Sequence, residues 1–302
     1  MDNRHIFTGL NSINFHRKFN NDEDCLRYVS EIKWEEGYSC KRCKNDAFIK
    51  GSKPYNRRCL KCKYDESPTA GTVFDKIKFS LLIAFHIAFK IGTKKKGMST
   101  LELSKEFDLR QKTCWGFKWK IQQVMQSSLL NPLTGLIHVD EFWIGGPEEN
   151  KRGRSLGSKK MIIVALEIVD QGVGRAYAEI IKSANSIELG SFIKKYIDNQ
   201  AQIVTDEWRG YLPLKKLYPN LVQKKSEDGK NFKEIHIHIM NMKGWLRGIH
   251  HHCSKEHMQG YLNEYHYRYN RRNHLGTTFD LLLKRMIKNE PIRLKSKFNK
   301  DT

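Results

Sequence analysis

Two Cys-x-x-Cys pairs near the N-terminus constrain the fold of this chain more than any other sequence feature. Cys40 and Cys43 form the first pair, Cys59 and Cys62 form the second, and fifteen residues separate them. Pairs at this separation are typical of a zinc ribbon, in which each pair turns two thiolates toward one tetrahedral ion. A redox-active pair and accidental spacing are the alternatives. We predict one structural Zn²⁺ held by the four cysteines, in a segment too small to fold without it.

The net charge indicates what kind of partner the chain binds. Its 302 residues include 54 Lys and Arg against 33 Asp and Glu, which gives +21. An excess of this size attracts polyanions such as DNA or RNA. Ribosomal proteins share this property, so the charge identifies a partner class and no reaction. A basic membrane-surface protein is disfavoured, because no amphipathic Lys/Arg helix with a Trp/Leu face stands out.

The sequence favours a cytoplasmic protein. Its apolar run Phe79–Phe89 is too short for a membrane span and contains a histidine. Residues Met1–His5 lack the apolar core of a signal peptide. We therefore expect no membrane association and a location in the cytoplasm, with the nucleoid as the site of any DNA-bound protein. Cysteines stay reduced there and can bind metal.

A pair of helices is expected after the cysteine segment. Ser99 followed by Glu102 is a capping box that begins a short helix. A second helix follows, and the two together indicate a helix-turn-helix, whose second helix can enter the major groove of DNA. We expect the stripe of Trp115 and Trp119 on this second helix to pack in the core and not to contact bases.

Beyond Asn131–Gly135 the hydrophobic period changes from helical to strand-like. The run Leu136–Ile144 predicts a strand that carries Asp140, and Ile203–Asp206 predicts a strand with an acid at its end. One such acid is most simply an edge-strand residue facing water, since burying a carboxylate without a cation is costly. Two acids in matching contexts instead indicate a divalent metal site for phosphoryl chemistry, because Mg²⁺ prefers oxygen ligands.

The order of the predicted elements favours an RNase H-like α/β domain with a mixed sheet. Two strands and a helix lie between the acidic strands, at Met161–Val169, Arg175–Lys182 and residues 186–199, with Ser186 as the expected helix cap. In such a fold the first and fourth strands lie side by side. That adjacency would bring Asp140 and Asp206 together.

We predict a multi-domain protein of mixed α/β class in four parts. These are a helical lead-in with the zinc ribbon over residues 1–66, a helix-turn-helix-like segment over 67–130, an RNase H-like domain over 131–275 and a basic tail over 276–302. The glycine-rich, basic stretch Gly145–Lys160 is expected to be a hairpin tip that reaches for phosphates. His236 and His238 alternate as on a strand, and no carboxylate or thiol at matching spacing supports a second transition-metal site there.

Three stretches of sequence carry a resemblance to a known family. They read HVDEFWIGG from His138, VTDEWRGY from Val204 and NMKGWLRGIHHHCSKEHMQGYLNEYHYRYNRR from Asn241. Together with the basic cysteine segment they resemble bacterial insertion-sequence transposases, in the branch with an N-terminal four-cysteine zinc ribbon and an RNase H-like DDE catalytic domain. The resemblance covers residues from about 10 to about 275.

The resemblance implies a Mg²⁺-dependent transposase acting on double-stranded DNA, at transposon ends and target, as a homo-oligomer. Two Asp residues and a third group hold two Mg²⁺ ions in that family. The ions activate water to nick a transposon end and then activate the freed 3′-OH to attack target DNA. By resemblance Asp140 is the first ligand and Asp206 the second. Asn241 occupies the third position, where most members have Glu and a sub-branch has Asn.

Other third ligands and other functions remain open. Asn241 offers a carbonyl oxygen without charge, so the site would bind metal more weakly than one with three carboxylates. Glu207, Glu234 and Glu264 compete with it, and Glu264 is expected to be a solvated acid. The functional alternatives are a nuclease that cuts without joining, a catalytically silent domesticated transposase and a zinc-ribbon DNA-binding protein.

Overall fold

The computed structural model describes residues 7–9, 11–127, 129–145, 159–170, 172–250 and 253–293. The chain forms two compact units. The first comprises the chain up to Met125 together with the segment that begins at Asn273, and the second is Gln126–Arg272. None of the helices within the described ranges combines the length and the apolar character that a membrane span requires.

The first unit has a helical core rich in phenylalanine. Its helices are α1 (Ser12–Lys18), α2 (Asp22–Lys33), α3 (Leu81–Thr93), α4 (Thr100–Phe107), α5 (Gln111–Val124) and α9 (Thr278–Lys288). The side chains of Phe15, Phe19 and Phe279 are fully buried, and their rings meet in tilted or edge-on contacts. The predicted capping box of Ser99 and Glu102 is confirmed at the start of α4.

Helix α5 buries a stripe of residues that lies beside the two tryptophans. Cys114, Phe117 and Ile121 are buried at spacings of three and four residues, which defines the apolar side of the helix. Trp115 and Trp119, predicted to lie in the core, are only partly buried. Their positions are next to the buried stripe, so the two tryptophans lie at the edge of the packed side and not at its centre.

The predicted basic tail contains a packed helix. Helix α9 buries Phe279, Leu282, Leu283 and Met286 and packs against α2, α3 and α5. The sequence of α9 combines positive charges with an apolar stripe at helical spacing. The charges suggest a tail, but the apolar stripe makes the segment a packed helix. Residues 294–302 of that predicted tail lie outside the described ranges, and the four-part division remains a prediction.

The cysteine segment forms a small antiparallel sheet. Its strands are β1 (Phe48–Lys50), β2 (Arg57–Cys59) and β3 (Asp65–Glu66), in that order. Both cysteine pairs lie in the same kind of turn. The backbone N–H of Lys44 donates to the Cys40 carbonyl at 2.9 Å, and that of Lys63 donates to the Cys59 carbonyl at 3.1 Å. Lys44 and Lys63 both adopt left-handed backbone conformations, which closes each turn.

The second unit is built on a five-stranded mixed sheet in the order β6-β5-β4-β7-β8. The strands are β4 (Leu136–Ile144), β5 (Lys160–Val169), β6 (Gly172–Ile181), β7 (Gln202–Thr205) and β8 (Leu221–Gln223), with helices α6 (Ser186–Tyr196), α7 (Lys233–Ile249) and α8 (Lys255–Tyr269). Strands β4 and β7 are neighbours and run parallel, so the predicted adjacency of first and fourth strands is confirmed. Asn185 caps α6 in place of the predicted Ser186.

The residues of β4 alternate between two hydrophobic clusters, one on each side of the sheet. Ile137 and Val139 pack in the cluster that includes α6. Phe142 packs in the cluster that includes α7 and α8. Since alternate residues of a strand share a side, Asp140 projects on the side of α7.

The strand predicted from the alternation of His236 and His238 is wrong, because both residues lie in helix α7. The buried residues of α7 recur every three or four positions: Ile235, His238, Ile239, Met242 and Leu246. Burial of this apolar face against the sheet outweighs the local two-residue alternation.

Candidate active site and metal centre

Asp140 lies in β4, and Asp206 directly follows the adjacent strand β7, at a corresponding position. The parallel register of β4 and β7 pairs His138 with Val204, so each acid lies two residues beyond a paired residue. A two-residue step returns a side chain to the same side of a sheet. The two carboxylates therefore emerge next to each other, on the side that carries α7.

The surroundings of Asp140 raise the pKa of its carboxyl. Burial is the largest cause; His236 opposes the change, and the negative charge of Asp206 adds to it. A raised pKa means that the carboxylate form of Asp140 is incompletely compensated in this structure. An acid in that condition next to a second carboxylate is a site that a bound cation stabilises.

Helix α7 presents two nitrogen groups toward Asp140. His236 Nε2 lies 3.4 Å from Asp140 Oδ2. Lys243 follows seven residues later, which places it on nearly the same side of the helix, and its Nζ is 4.9 Å from the centroid of the Phe142 ring. Burial and then Arg247 lower the pKa of Lys243, and Asp140 raises it. The acid thus faces an imidazole and lies within electrostatic range of an ammonium group.

The structure does not bring Asn241 to the acid pair. Asn241 is exposed on α7, and five residues separate it from His236, which is a rotation of about 140° around a helix. Among the described contacts none joins Asn241 to Asp140 or Asp206. His236 is the site residue that sequence reasoning overlooked. Its seven-residue spacing from Lys243 could have revealed it once the segment was recognised as a helix.

The competing acids have other surroundings. Glu207 is exposed beside Asp206. Glu234 is half-buried at the start of α7. The expected solvent exposure of Glu264 is wrong, because its side chain is fully buried in α8 and its Oε1 accepts a hydrogen bond from Arg268 Nη1 at 2.7 Å. Glu264 is therefore engaged in an internal ion pair.

A network of hydrogen bonds fixes the turn that follows β7. The backbone N–H of Trp208 donates to Asp206 Oδ1 at 3.0 Å. Gln223 Nε2 donates to the carbonyls of Asp206 and Trp208 at 3.1 and 2.9 Å. An open cleft of about 780 Å³ adjoins this turn, lined by Asp206, Glu207, Trp208 and residues of the loop from Lys225 to Lys230. The cleft gives a substrate access to Asp206.

The acid pair fits a hard divalent cation. Mg²⁺ is usually held by one or two carboxylates and completes its shell with water and substrate phosphates. Asp140 and Asp206 supply such carboxylates. An imidazole such as that of His236 suits transition metals better than Mg²⁺. The chemistry of the donors thus allows Mg²⁺ and favours a softer ion if the histidine takes part.

The four cysteines of the first unit form a converging cluster. Their Sγ atoms all lie within 4.8 Å of one another. Among the residues that the structure describes, these four form the cluster of Cys, His, Asp or Glu side chains that could hold a metal ion. Burial raises the pKa of the Cys40 thiol, but hydrogen bonds from the backbone of Cys43 and Arg42 outweigh it and bring that pKa to about 6. Four thiols in this arrangement could bind zinc.

The basic stretch Gly145–Lys160 is only partly described. Residues 146–158 lie outside the described ranges, so its predicted approach to phosphates remains a prediction. Lys160 is the first residue of β5 and pairs with Ile144.

Comparison with known proteins finds a family whose model matches most of the second unit. Residues 132–270 match the ISXO2-like transposase domain family. The chain is also 22% identical over 218 residues to an uncharacterized protein in transposable element ISH50 of Halobacterium salinarum, which covers 66% of this chain and 71% of that protein. The family match spans β4 to α8 and includes Asp140, Asp206 and α7. The resemblance to insertion-sequence transposases is confirmed by the match of residues 132–270 to the ISXO2-like transposase domain family and by the similarity to this relative.

Proposed function

We propose that this chain is a DNA transposase that cuts DNA and joins the freed 3′ ends to a target, with divalent metal ions held at Asp140 and Asp206. The matched position of these two acids, one in β4 and one directly after the adjacent parallel strand β7, carries the proposal, because two-metal phosphoryl transfer needs oxygen ligands that converge from separate elements. The strand order β6-β5-β4-β7-β8 supports an RNase H-like catalytic domain.

Each residue of the site has a role that follows from its surroundings. When bound, Mg²⁺ would activate water or a 3′-OH and neutralise charge on the phosphate. Asp140 and Asp206 would hold the ions, and the bonds from Trp208 and Gln223 would keep Asp206 in place. Lys243 supplies positive charge near Asp140, where a DNA phosphate would approach.

We assign the third position of the site to His236, with Asn241 as the alternative. His236 already contacts Asp140, whereas Asn241 projects from another part of α7. The assignment of Asn241 rests on the resemblance alone. The two assignments differ in the metal they favour, because imidazole nitrogen and amide oxygen prefer different ions.

We also propose that Cys40, Cys43, Cys59 and Cys62 hold one structural Zn²⁺ and that the first unit binds the ends of the element. The overall charge of +21 supports a polyanionic partner. Helices α4 and α5 would contribute as a helix-turn-helix. Two ends must be processed together in transposition, so we expect a homo-oligomer on DNA, in the cytoplasm at the nucleoid.

The test uses a DNA fragment that carries the gene with its flanking sequence, incubated with purified full-length protein and Mg²⁺ or Mn²⁺. Wild type should release defined 3′ ends and join them to a second plasmid. Asp140→Asn and Asp206→Asn should abolish both reactions with folding intact by circular dichroism. Asp170→Asn, an exposed acid after β5, is the matched control and should remain active.

Two outcomes would replace the proposal with its alternatives. Cleavage without any joined product would indicate a nuclease. Specific DNA binding by a protein that neither cuts nor joins, with either metal, would indicate a silent DNA-binding descendant.

A further inference from the structure

The side of the sheet opposite the acid pair carries a second contact between the same two segments of chain. Glu141 follows Asp140 in β4 and so projects to the opposite side. Tyr211 lies in the short 3-10 helix Arg209–Lys216, which follows Asp206. The Tyr211 hydroxyl donates a hydrogen bond to Glu141 Oε2 at 2.9 Å. The same two segments therefore carry Asp140 and Asp206 on one side of the sheet and the hydrogen bond between Glu141 and Tyr211 on the other.

Tyr211 cannot easily take another position. Its side chain is fully buried in the cluster on the α6 side of the sheet, where Leu189 and Leu214 also pack. Burial, followed by the charge of Glu141, raises its pKa well above the ordinary value. The hydroxyl therefore keeps its proton and remains a donor to the Glu141 carboxylate.

The chain between Asp206 and Tyr211 is held rigidly. Trp208 Nε1 donates to the Ala184 carbonyl at 2.8 Å. A Cβ atom added at Gly210 would lie 2.5 Å from the same carbonyl oxygen, so the turn packs closely against Ala184. A displacement at Tyr211 would consequently be transmitted to Asp206.

We propose that Glu141 and Tyr211 are a positioning pair that sets the separation of Asp140 and Asp206 for metal binding. The inference rests on the proposed function of the two acids. Glu141 is next to Asp140 in the chain. Tyr211 follows Asp206 by five residues, at the end of a rigid turn. Their hydrogen bond ties β4 to that turn at the position where the two carboxylates must be held at a fixed distance.

The experiment measures Mn²⁺ binding to the full-length protein by electron paramagnetic resonance, without DNA. Tyr211→Phe removes the hydroxyl and keeps the ring. Tyr218→Phe is the matched control, since Tyr218 packs against the same cluster and its hydroxyl has no hydrogen-bond partner among the described residues. Tyr211→Phe should raise the Mn²⁺ dissociation constant roughly tenfold, as for other residues that orient metal ligands, and Tyr218→Phe should leave it unchanged.

A second variant tests the other partner of the bond. Glu141→Leu should also weaken Mn²⁺ binding, and its loss should be less than additive with that of Tyr211→Phe in the double variant, because the bond between the two side chains is lost in both. Additive losses, unchanged binding in Tyr211→Phe, or an equal loss in Tyr218→Phe would overturn the pairing.

Failure of the underlying function is distinguishable from failure of this inference. Asp140→Asn should abolish the Mn²⁺ binding that the zinc-loaded wild type shows. If that variant binds Mn²⁺ as wild type does, the acid pair is not the metal site and both proposals are overturned. If it loses binding while Tyr211→Phe keeps it, only the positioning role is overturned.

Discussion

His236 Nε2 in α7 lies 3.4 Å from Asp140 Oδ2 in β4. This contact joins a helix that follows the sheet in sequence to the acid at the centre of the candidate site. It also distinguishes two candidate ligands on α7, because His236 faces Asp140 and Asn241 projects elsewhere. The position of the third metal ligand can therefore be tested by substitution on a single helix.

Substitution of His236 should impair catalysis more than substitution of Asn241. His236→Ala removes the imidazole beside Asp140 and should reduce strand cleavage by about a hundredfold, within the range for residues that support a metal site. Asn241→Ala should stay within a few-fold of wild type. The measurement is the cleavage rate with each metal on the flanking-DNA substrate, after circular dichroism has shown that both variants fold.

The metal preference provides an independent check on the same residue. Wild type should work better with Mn²⁺ than with Mg²⁺, because imidazole is a poor ligand for Mg²⁺. His236→Glu supplies oxygen ligands and should shift the preference toward Mg²⁺. A fully active His236→Ala together with an inactive Asn241→Ala would move the third position to Asn241.

Loss of one cysteine should remove zinc from the protein. Cys40→Ser takes one of four converging ligands from a segment with few buried apolar residues, so the ribbon should unfold while the sheet of the second unit persists. Elemental analysis should find about one zinc per wild-type chain and none in the variant. Cys253 lies outside this group of four cysteines, so the control Cys253→Ser should retain the metal. Wild-type protein that contains no zinc and has four freely titrating thiols would contradict the site.

DNA binding should depend steeply on salt. The charge of +21 implies that several phosphates are neutralised in the complex, and each neutralised phosphate releases a counterion. Affinity for a duplex should fall by about tenfold or more between low and physiological salt. Fluorescence anisotropy titrations at several salt concentrations measure this slope, and a nearly flat response would show that phosphate contacts do not dominate.

Glu264 should matter for stability and not for metal binding. Glu264→Gln leaves the Arg268 guanidinium without its carboxylate in the interior, which should lower the free energy of unfolding by about 3–5 kcal/mol. Asp170→Asn, at an exposed acid of the same unit, should change it by less than about 0.5 kcal/mol. Urea denaturation measures both; weakened Mn²⁺ binding by a stably folded Glu264→Gln would instead favour Glu264 as a ligand.

The second unit should lose stability in mild acid because of a buried histidine pair. His238 Nε2 and His266 Nε2 are 3.1 Å apart, and burial lowers the pKa of His266 from 6.5 to about 4. Between these values the unfolded chain binds a proton that the folded chain does not, so the free energy of unfolding falls as pH falls, by about 1.4 kcal/mol per pH unit. His266→Gln should reduce this slope, measured by urea denaturation across that range; an unchanged slope would assign the acid sensitivity to other groups.

The sequence by itself determined the elements whose signals are local. The cysteine spacing, the capping box at Ser99, the β-branched runs around Asp140 and Asp206 and the order of strands all depend on neighbouring residues. The adjacency of β4 and β7 also followed, because the order of the predicted elements is that of an RNase H-like fold, in which the first and fourth strands are neighbours. These signals were sufficient to predict the acid pair and the cysteine cluster.

Only the tertiary structure decided which side of each helix is buried and which residues that side contacts. Local alternation at His236 and His238 indicated a strand, but packing of Ile239 and Leu246 against the sheet made a helix and turned His236 toward Asp140. The basic sequence around α9 indicated a tail, but burial of Phe279 made it part of the first unit. Long-range burial decided these cases because the free energy of removing an apolar face from water exceeds local preferences.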